Sequence, residues 1–203
     1  MPTYDIILVT FNRVDYTKRT VASLISSGAY AGCQRFIIVD NHSLEEGMTE
    51  FLDNMAKYEK MFIVRRPTND GWGMAVNDAL GMSRAEYIFL SNNDVEYSPG
   101  FMERLFEIFK AHTEIGILGV WRHTSHNFMA NVWADFREMD NVPAIGWLLP
   151  KKAMEVVGML PEKGACLTRG GNGEDTEYVL RMKAAGYLVG VPAQDLAVHI
   201  DGY

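Results

Sequence analysis

The chain has 203 residues, 48% hydrophobic and 22% charged, which suits one soluble globular domain and excludes a disordered or fibrous class. A net charge of −7 disfavours a broad nucleic-acid surface, and the two distant cysteines, Cys33 and Cys166, disfavour a disulfide framework or a zinc ribbon. No apolar run approaches the roughly 18–20 residues that cross a bilayer and Met1–Asp5 lead straight into a strand, so the sequence reads as cytoplasmic.

Apolar, β-rich runs bounded by turn residues predict strands at Tyr4–Val9, Arg35–Val39, Met61–Val64, Tyr87–Leu90 and Ile115–Val120, with helix-length segments between them. Val21, Leu24 and Ile25 keep a helical spacing behind a possible cap at Asp15, and Gly28 is a natural stop. Ser98-Pro99 predicts another helix start, with proline at the first position and Phe101, Leu105, Ile108 and Phe109 on its apolar face. Strands alternating with helices predict an α/β fold with a Rossmann-like, mostly parallel sheet, whose strands are continuous apolar runs because both faces are covered. After residue 120 the rhythm breaks into an irregular stretch, then a strand near Ala144–Leu149, a helix over Glu174–Ala185 and closing strands in YLVGV and LAVHI.

Open α/β sheets collect ligands outside the carboxyl ends of their strands. Here those ends read Thr10-Phe11-Asn12-Arg13, Asp40-Asn41-His42-Ser43, Thr68-Asn69-Asp70-Gly71 and Asn92-Asn93-Asp94. One such end is ordinary turn chemistry, but four on one rim favour a site. The first turn lacks G-x-G-x-x-G and no P-loop occurs, which argues against a dinucleotide oxidoreductase or a P-loop enzyme. A nucleotide can instead be held through Asp40 and the Thr10–Arg13 turn while Mn²⁺ or Mg²⁺ takes the diphosphate, with Asp94 as the hard oxygen ligand.

The segments ILVTFNR, IIVDNHS, NDGWGMAVNDAL, FLSNNDVEYSPGF, GGNGEDTEYVLRMKAAGY and the closing AVH, in that order, resemble the motif series of GT-A-fold glycosyltransferases, nearest the inverting family 2 enzymes. The resemblance spans nearly the whole chain. It implies one GT-A domain over 1–203, with residues to about 97 forming a nucleotide-sugar half and the remainder an acceptor half. It assigns Asp40 to the nucleobase, Thr10, Asn12 and Arg13 to the nucleotide pocket, and Asn69, Asp70 and Gly71 to its flank. Asn92-Asn93-Asp94 stands where the family has D-x-D, with asparagine replacing the first carboxylate and Asp94 keeping the metal ligand. His199 matches a histidine that completes the metal site as a neutral imidazole. Asp175 falls at the general base, which takes the acceptor hydroxyl proton as the diphosphate departs, with Glu174 as the neighbouring alternative. A Q-x-x-R-W motif and membrane helices are missing, which implies one transfer per encounter, and the end of the chain four residues after His199 suggests a minimal catalytic core.

Plainer readings compete. His123 and His126 suit surface positions, and Gly170–Gly173 suits either a mobile lid or a passive loop. Trp121, Trp133 and Trp147 can stack on sugars or pack in the core, with Trp147 favoured for the acceptor because Gly146-Trp147 precedes the acceptor-side helix. Arg65-Arg66 suits a solvated strand end, and Asp70 can cap the next helix. The function implied is transfer from a nucleoside-diphosphate sugar, a UDP-sugar first, to an acceptor that is a glycan, lipid-linked saccharide, protein, small molecule or modified nucleic-acid base. Alternatives are a sugar-phosphate nucleotidyltransferase or a catalytically silent nucleotide-sugar or glycan binder.

Overall fold

The first strand, β1 (Tyr4–Thr10), is buried at every position. Its two-residue pleat divides it between two cores, Ile6 and Leu8 entering one and Ile7 and Val9 the other. The computed structural model describes residues 1–121, 129–161 and 173–201. Within them β1 is followed by α1 (Val14–Ser26), α2 (Ala29–Gly32), β2 (Phe36–Asp40), α3 (Met48–Met55), β3 (Met61–Arg65), α4 (Trp72–Leu80) and β4 (Tyr87–Asn92). Then come β5 (Val95–Tyr97), α5 (Phe101–Ala111), β6 (Ile115–Gly119), β7 (Met129–Val132), β8 (Phe136–Met139) and β9 (Gly146–Pro150). The chain continues through α6 (Lys151–Val157), α7 (Glu174–Ala184), β10 (Leu188–Pro192) and β11 (Ala197–His199).

Nine strands form one sheet in the order β3-β2-β1-β4-β9-β6-β10-β8-β7, and β8 and β9 run against the other seven. The sheet is therefore mostly parallel, as the strand-helix alternation predicts. Helices α1 and α5 bury their apolar stripes in one core, with Leu24, Phe101 and Leu105 wholly enclosed. The other core holds α4, α6 and α7, through Val76, Ala153 and Tyr178. Among the described residues no helix is long and apolar enough to cross a membrane.

Register places the site. Thr10 pairs with Asp40 and Val9 with Asn92, so the carboxyl ends of β1, β2 and β4 form one rim. Because β9 is antiparallel and pairs Gly146 with Ser91, its amino end enters at the same rim and brings Pro143–Ile145 there. Gly146 permits this entry: a Cβ would stand 2.8 Å from Val120 Cγ2 and 3.1 Å from the Tyr97 hydroxyl. A separate two-stranded sheet pairs His199 of β11 with Val95 of β5, beside the turn that holds Asp94.

Two predicted helix starts are corrected. Helix α5 begins at Phe101, because Gly100 takes a left-handed φ of 72° and keeps Pro99 in the preceding turn. Helix α1 begins at Val14, ahead of Asp15, and its first amides are met by Glu45 from the loop after β2. Cys33 is buried with a free thiol that burial pushes up to about 11, while Cys166 lies outside the described residues. His123, His126 and positions 170–172 of the proposed lid also lie outside them.

Candidate active site

The turn from β1 into α1 uses two consecutive left-handed residues, Asn12 and Arg13, a conformation that non-glycine residues keep only when surroundings hold it. Those surroundings are visible. Asn12 Oδ1 accepts from the Leu44 and Glu45 amides at 2.9 and 3.2 Å, and Asn12 N donates to Ser43 Oγ at 2.8 Å. Glu45 accepts from the amides of Arg13 and Val14, and Asp40 Oδ1 accepts from Ser43 N at 2.9 Å. The Asn93 amide donates to Thr10 Oγ1 and Thr17 Oγ1 at 3.1 and 3.0 Å and to the Asn12 carbonyl at 3.1 Å. Thr10 is fully buried, and Thr10 Oγ1 together with the Asn12 amide N–H, carbonyl and Oδ1 builds the turn. Asn93 does border the cavity described below, while its NH₂ fastens the turn to the end of β4.

The second wall is the β3–α4 connection. Arg65 is exposed and paired with Asp53 at 2.6 Å. Arg66 corrects the solvated reading: its side chain is only 8% exposed and its guanidinium donates to Asn41 Oδ1 at 2.8 Å and Asp78 Oδ2 at 2.7 Å. Asn41 Nδ2 in turn donates to Asn69 Oδ1 at 2.9 Å and the Gly71 carbonyl at 3.2 Å. Asp70 is exposed, accepts from Thr68 Oγ1 at 2.6 Å, and is not the cap of α4, whose first residues follow Gly71 at φ 104°.

The third group gathers around Asp94. Its Oδ2 lies 3.3 Å from Arg13 Nη1 and 3.5 Å from His199 Nε2, while its Oδ1 is buried with no hydrogen-bond partner. Asn92 Oδ1 is a second buried oxygen without a partner. A buried polar atom left unmatched is costly, so two together mark a place built for something else. Arg13 Nη1 also reaches Asp201 Oδ2 at 2.7 Å, and Tyr16 Oη donates to Asp201 Oδ1 at 2.6 Å. That phenol bond, with the Arg13 cation, holds the Asp201 carboxyl below its usual range, and the same bond raises the Tyr16 phenol.

The start of α7 supplies the fourth. Asp175 accepts from Thr176 N through Oδ1 at 2.7 Å and from Ala144 N through Oδ2 at 3.4 Å, which orients its carboxylate. Glu174, the alternative base, has a structural task as well. Its Oε2 accepts from Gly73 N at 2.6 Å, so it caps the amino end of α4 from 101 residues away and ties α7 to it.

A cavity of about 680 Å³ joins these groups. Asn92, Asn93, Asp94, Glu174, Asp175 and Gly71 line it, together with Val9, Phe11, Asn41, Trp72 and Pro143–Ile145. Asn41 was within reach of sequence reasoning, standing in the same polar strand end as Asp40. Trp72 follows Gly71 and Ile145 precedes β9, but neither carries a pattern that separates wall from core.

Trp147 is also corrected. It is wholly buried, donates from Nε1 to the Pro143 carbonyl at 2.9 Å, and packs edge-on against Trp72 and in parallel with Tyr178. A sugar has no face of it to stack on, because the strand's pleat turns it into the core. Trp147→Ala is expected to destabilise the fold by about 3–5 kcal/mol, read by chemical denaturation. Trp121 and Trp133 are half-buried against the other core, the latter beside His112 and Phe136.

A profile for Glycosyl transferase family 2 matches residues 5–164. The chain belongs to glycosyl transferase family 2. Its similarity to the poly(ribitol-phosphate) β-N-acetylglucosaminyltransferase TarP of Staphylococcus aureus (strain N315) is 27% identity over 121 residues, covering 59% of this chain and 36% of TarP. Among solved structures, GalNAc-T7 with UDP, GalNAc and Mn²⁺ superposes at TM-score 0.80 and 12% identity, over 98% of this chain and 43% of that one. S. aureus TarS 1-349 with UDP-GlcNAc does so at 0.71 and 12%, over 99% and 61%, and the mannosyltransferase PcManGT of Pyrobaculum calidifontis with GDP-Man and Mn²⁺ at 0.70 and 14%, over 94% and 56%. The chain spans about a third of the length of TarP and about half of the structural neighbours. The fold of this family 2 chain is GT-A, as its motif series implies.

Proposed function

We propose that this family 2 chain is an inverting, metal-dependent transferase that moves one sugar per encounter from a nucleoside-diphosphate sugar, a UDP-sugar first, to an acceptor hydroxyl. The observation that carries this reading is that Asp94 and Asp175, on different elements, open onto one cavity at the carboxyl rim of the sheet. The neighbours that share the fold hold UDP with Mn²⁺, UDP-GlcNAc, or GDP-Man with Mn²⁺, which supports a nucleotide-sugar donor here.

The residues present fit a hard divalent cation. The partnerless Oδ1 of Asp94, the Asn92 amide oxygen and the His199 imidazole are donors that Mn²⁺ or Mg²⁺ accepts. Among the described residues no group of three or more His, Cys, Asp or Glu side chains converges, so the other ligands would come from water and the donor's phosphates. When bound, the cation supplies charge neutralisation for the departing diphosphate.

The chain's own groups do the remaining work. Asp175 Oδ2, oriented by the Thr176 and Ala144 amides, accepts the proton of the attacking hydroxyl. Glu174 keeps that carboxylate in place by fixing α7 on α4. Phe11, Trp72 and Ile145 give the cavity an apolar wall that restricts water around the reacting groups.

The test is a thermal-shift panel of UDP-, GDP- and dTDP-sugars with and without Mn²⁺. A donor at 100 times its Kd adds about 2.7 kcal/mol to the folded state, so Tm should rise with a UDP-sugar and Mn²⁺ together. A panel in which no nucleotide sugar raises Tm in a metal-dependent way would overturn the proposal.

A further inference from the structure

Asp94 is held unevenly, and the unevenness points to a residue beyond the last motif of the series. We propose that Asp201 is a positioning residue for the cation site. It tethers Arg13, which stands on Asp94 as a resident counter-charge that a divalent cation must displace, and it keeps the guanidinium once displaced. The proposal rests on the cation reading above and adds what sets the affinity of that site.

Arg13 reaches both carboxylates with one atom, Nη1, at 2.7 Å from Asp201 Oδ2 and 3.3 Å from Asp94 Oδ2. A charge-assisted N–H···O bond spans roughly 2.7–2.9 Å, so the contact to Asp201 is a full bond and the one to Asp94 a looser lean. The guanidinium can therefore leave Asp94 and stay on Asp201. Tyr16 completes the seat: its hydroxyl donates to Asp201 Oδ1 at 2.6 Å, and its ring lies under the guanidinium with Cζ 5.4 Å from the centroid. Both ends of the tether are anchored. The left-handed turn and Glu45 fix the backbone of Arg13. Asp201 follows β11, which pairs His199 with Val95, and Ile200 N donates to the Asp94 carbonyl at 2.8 Å.

What this does to a cation follows from charge. His199 Nε2 faces the same Asp94 oxygen, at 3.5 Å, that Arg13 leans on, so a cation drawing on Asp94 and His199 together meets the guanidinium there. A cation on Oδ1 instead still shares one carboxylate with a like charge. Among the described residues Asp94, His199 and Asp201 do not converge as a set of three metal ligands, so Asp201 acts through Arg13 rather than on the ion. Arg13 thus satisfies Asp94 before an ion arrives, and Asp201 receives the arginine when one does.

The experiment is titration of Mn²⁺ without nucleotide and with UDP, the free ion being read by electron paramagnetic resonance, for wild type, Arg13→Gln, Asp201→Asn and the double variant. The Arg13 side chain is half exposed and its amide is held by Glu45, so Arg13→Gln should fold. Without nucleotide, Arg13→Gln should bind Mn²⁺ about tenfold or more tightly than wild type, since a like charge is gone. Asp201→Asn should bind it about tenfold or more weakly, because Arg13 is left with Asp94 alone. Beside Arg13→Gln, the loss caused by Asp201→Asn should shrink below about threefold, the mark of a residue that works through another. Should Asp201→Asn disturb the closing strand, Tyr16→Phe poses the same question with no change of charge: Mn²⁺ binding should weaken about threefold in wild type and hold steady beside Arg13→Gln. A loss from Asp201→Asn of the same size with and without Arg13 would make Asp201 a ligand or a distant charge and would sink the proposal. So would an Arg13→Gln variant that binds Mn²⁺ no more tightly than wild type. Absence of Mn²⁺ binding from all four proteins, with UDP as without, would defeat the cation reading itself, a result distinct from either.

Discussion

Asp175→Asn is expected to lower kcat by on the order of 10²–10⁴ while leaving donor Kd within about twofold, the signature of a group used only in the transition state. Asparagine keeps the size of the side chain and its acceptor for the Thr176 amide, so α7 should keep its start. What it loses is the ability to take a proton. Because Glu174 is held by Gly73 N at 2.6 Å, it cannot swing in as a substitute base without uncapping α4. Steady-state kinetics paired with donor titration decides the matter: full activity in Asp175→Asn would remove it from the chemistry, and lost donor binding would make it a ligand residue.

Asp94→Asn should produce the opposite split. It removes the only carboxylate bordering the cavity from the β4–β5 turn. Mn²⁺-dependent binding of UDP should weaken about 100-fold or more, near 2.7 kcal/mol, since Asn92 is already an amide and offers no charge to replace it. Arg13 keeps its second partner, Asp201, so the turn should stay folded and Tm should change little. Titration in Mn²⁺ and again in chelator measures the effect, and undiminished Mn²⁺-dependent binding in the variant would locate the cation elsewhere. Together the two variants separate holding the donor from transferring its sugar.

How much of this could be read from the chain depends on the range of each contact. Strand cores such as FIIV and IILV declared themselves, because burial on both faces leaves no room for polar alternation. The polar strand ends were legible for the same reason: Asn92-Asn93-Asp94 is an odd finish to a buried run, and it does border the cavity. The direction of β9 was not legible, since GWLLP is as apolar as its parallel neighbours and only its pairing reverses it. Nor were the tasks of Arg66, Glu45 and Glu174, whose partners lie 25, 32 and 101 residues away. Asn12 shows the limit well. An asparagine that organises a turn and one that meets a ligand have the same composition around them.

The Glu45 carboxylate seated on the Arg13 and Val14 amides bears on how a spent nucleotide leaves. Amides at such a helix start grip phosphate in many nucleotide-binding folds, but here the berth is taken by the chain itself. Under the proposed reaction, a diphosphate left after transfer finds no backbone cradle at this turn and is retained chiefly through the ion at Asp94. Product residence time should then track free cation concentration, so that a fall in available manganese or magnesium releases the nucleotide while the protein stays folded.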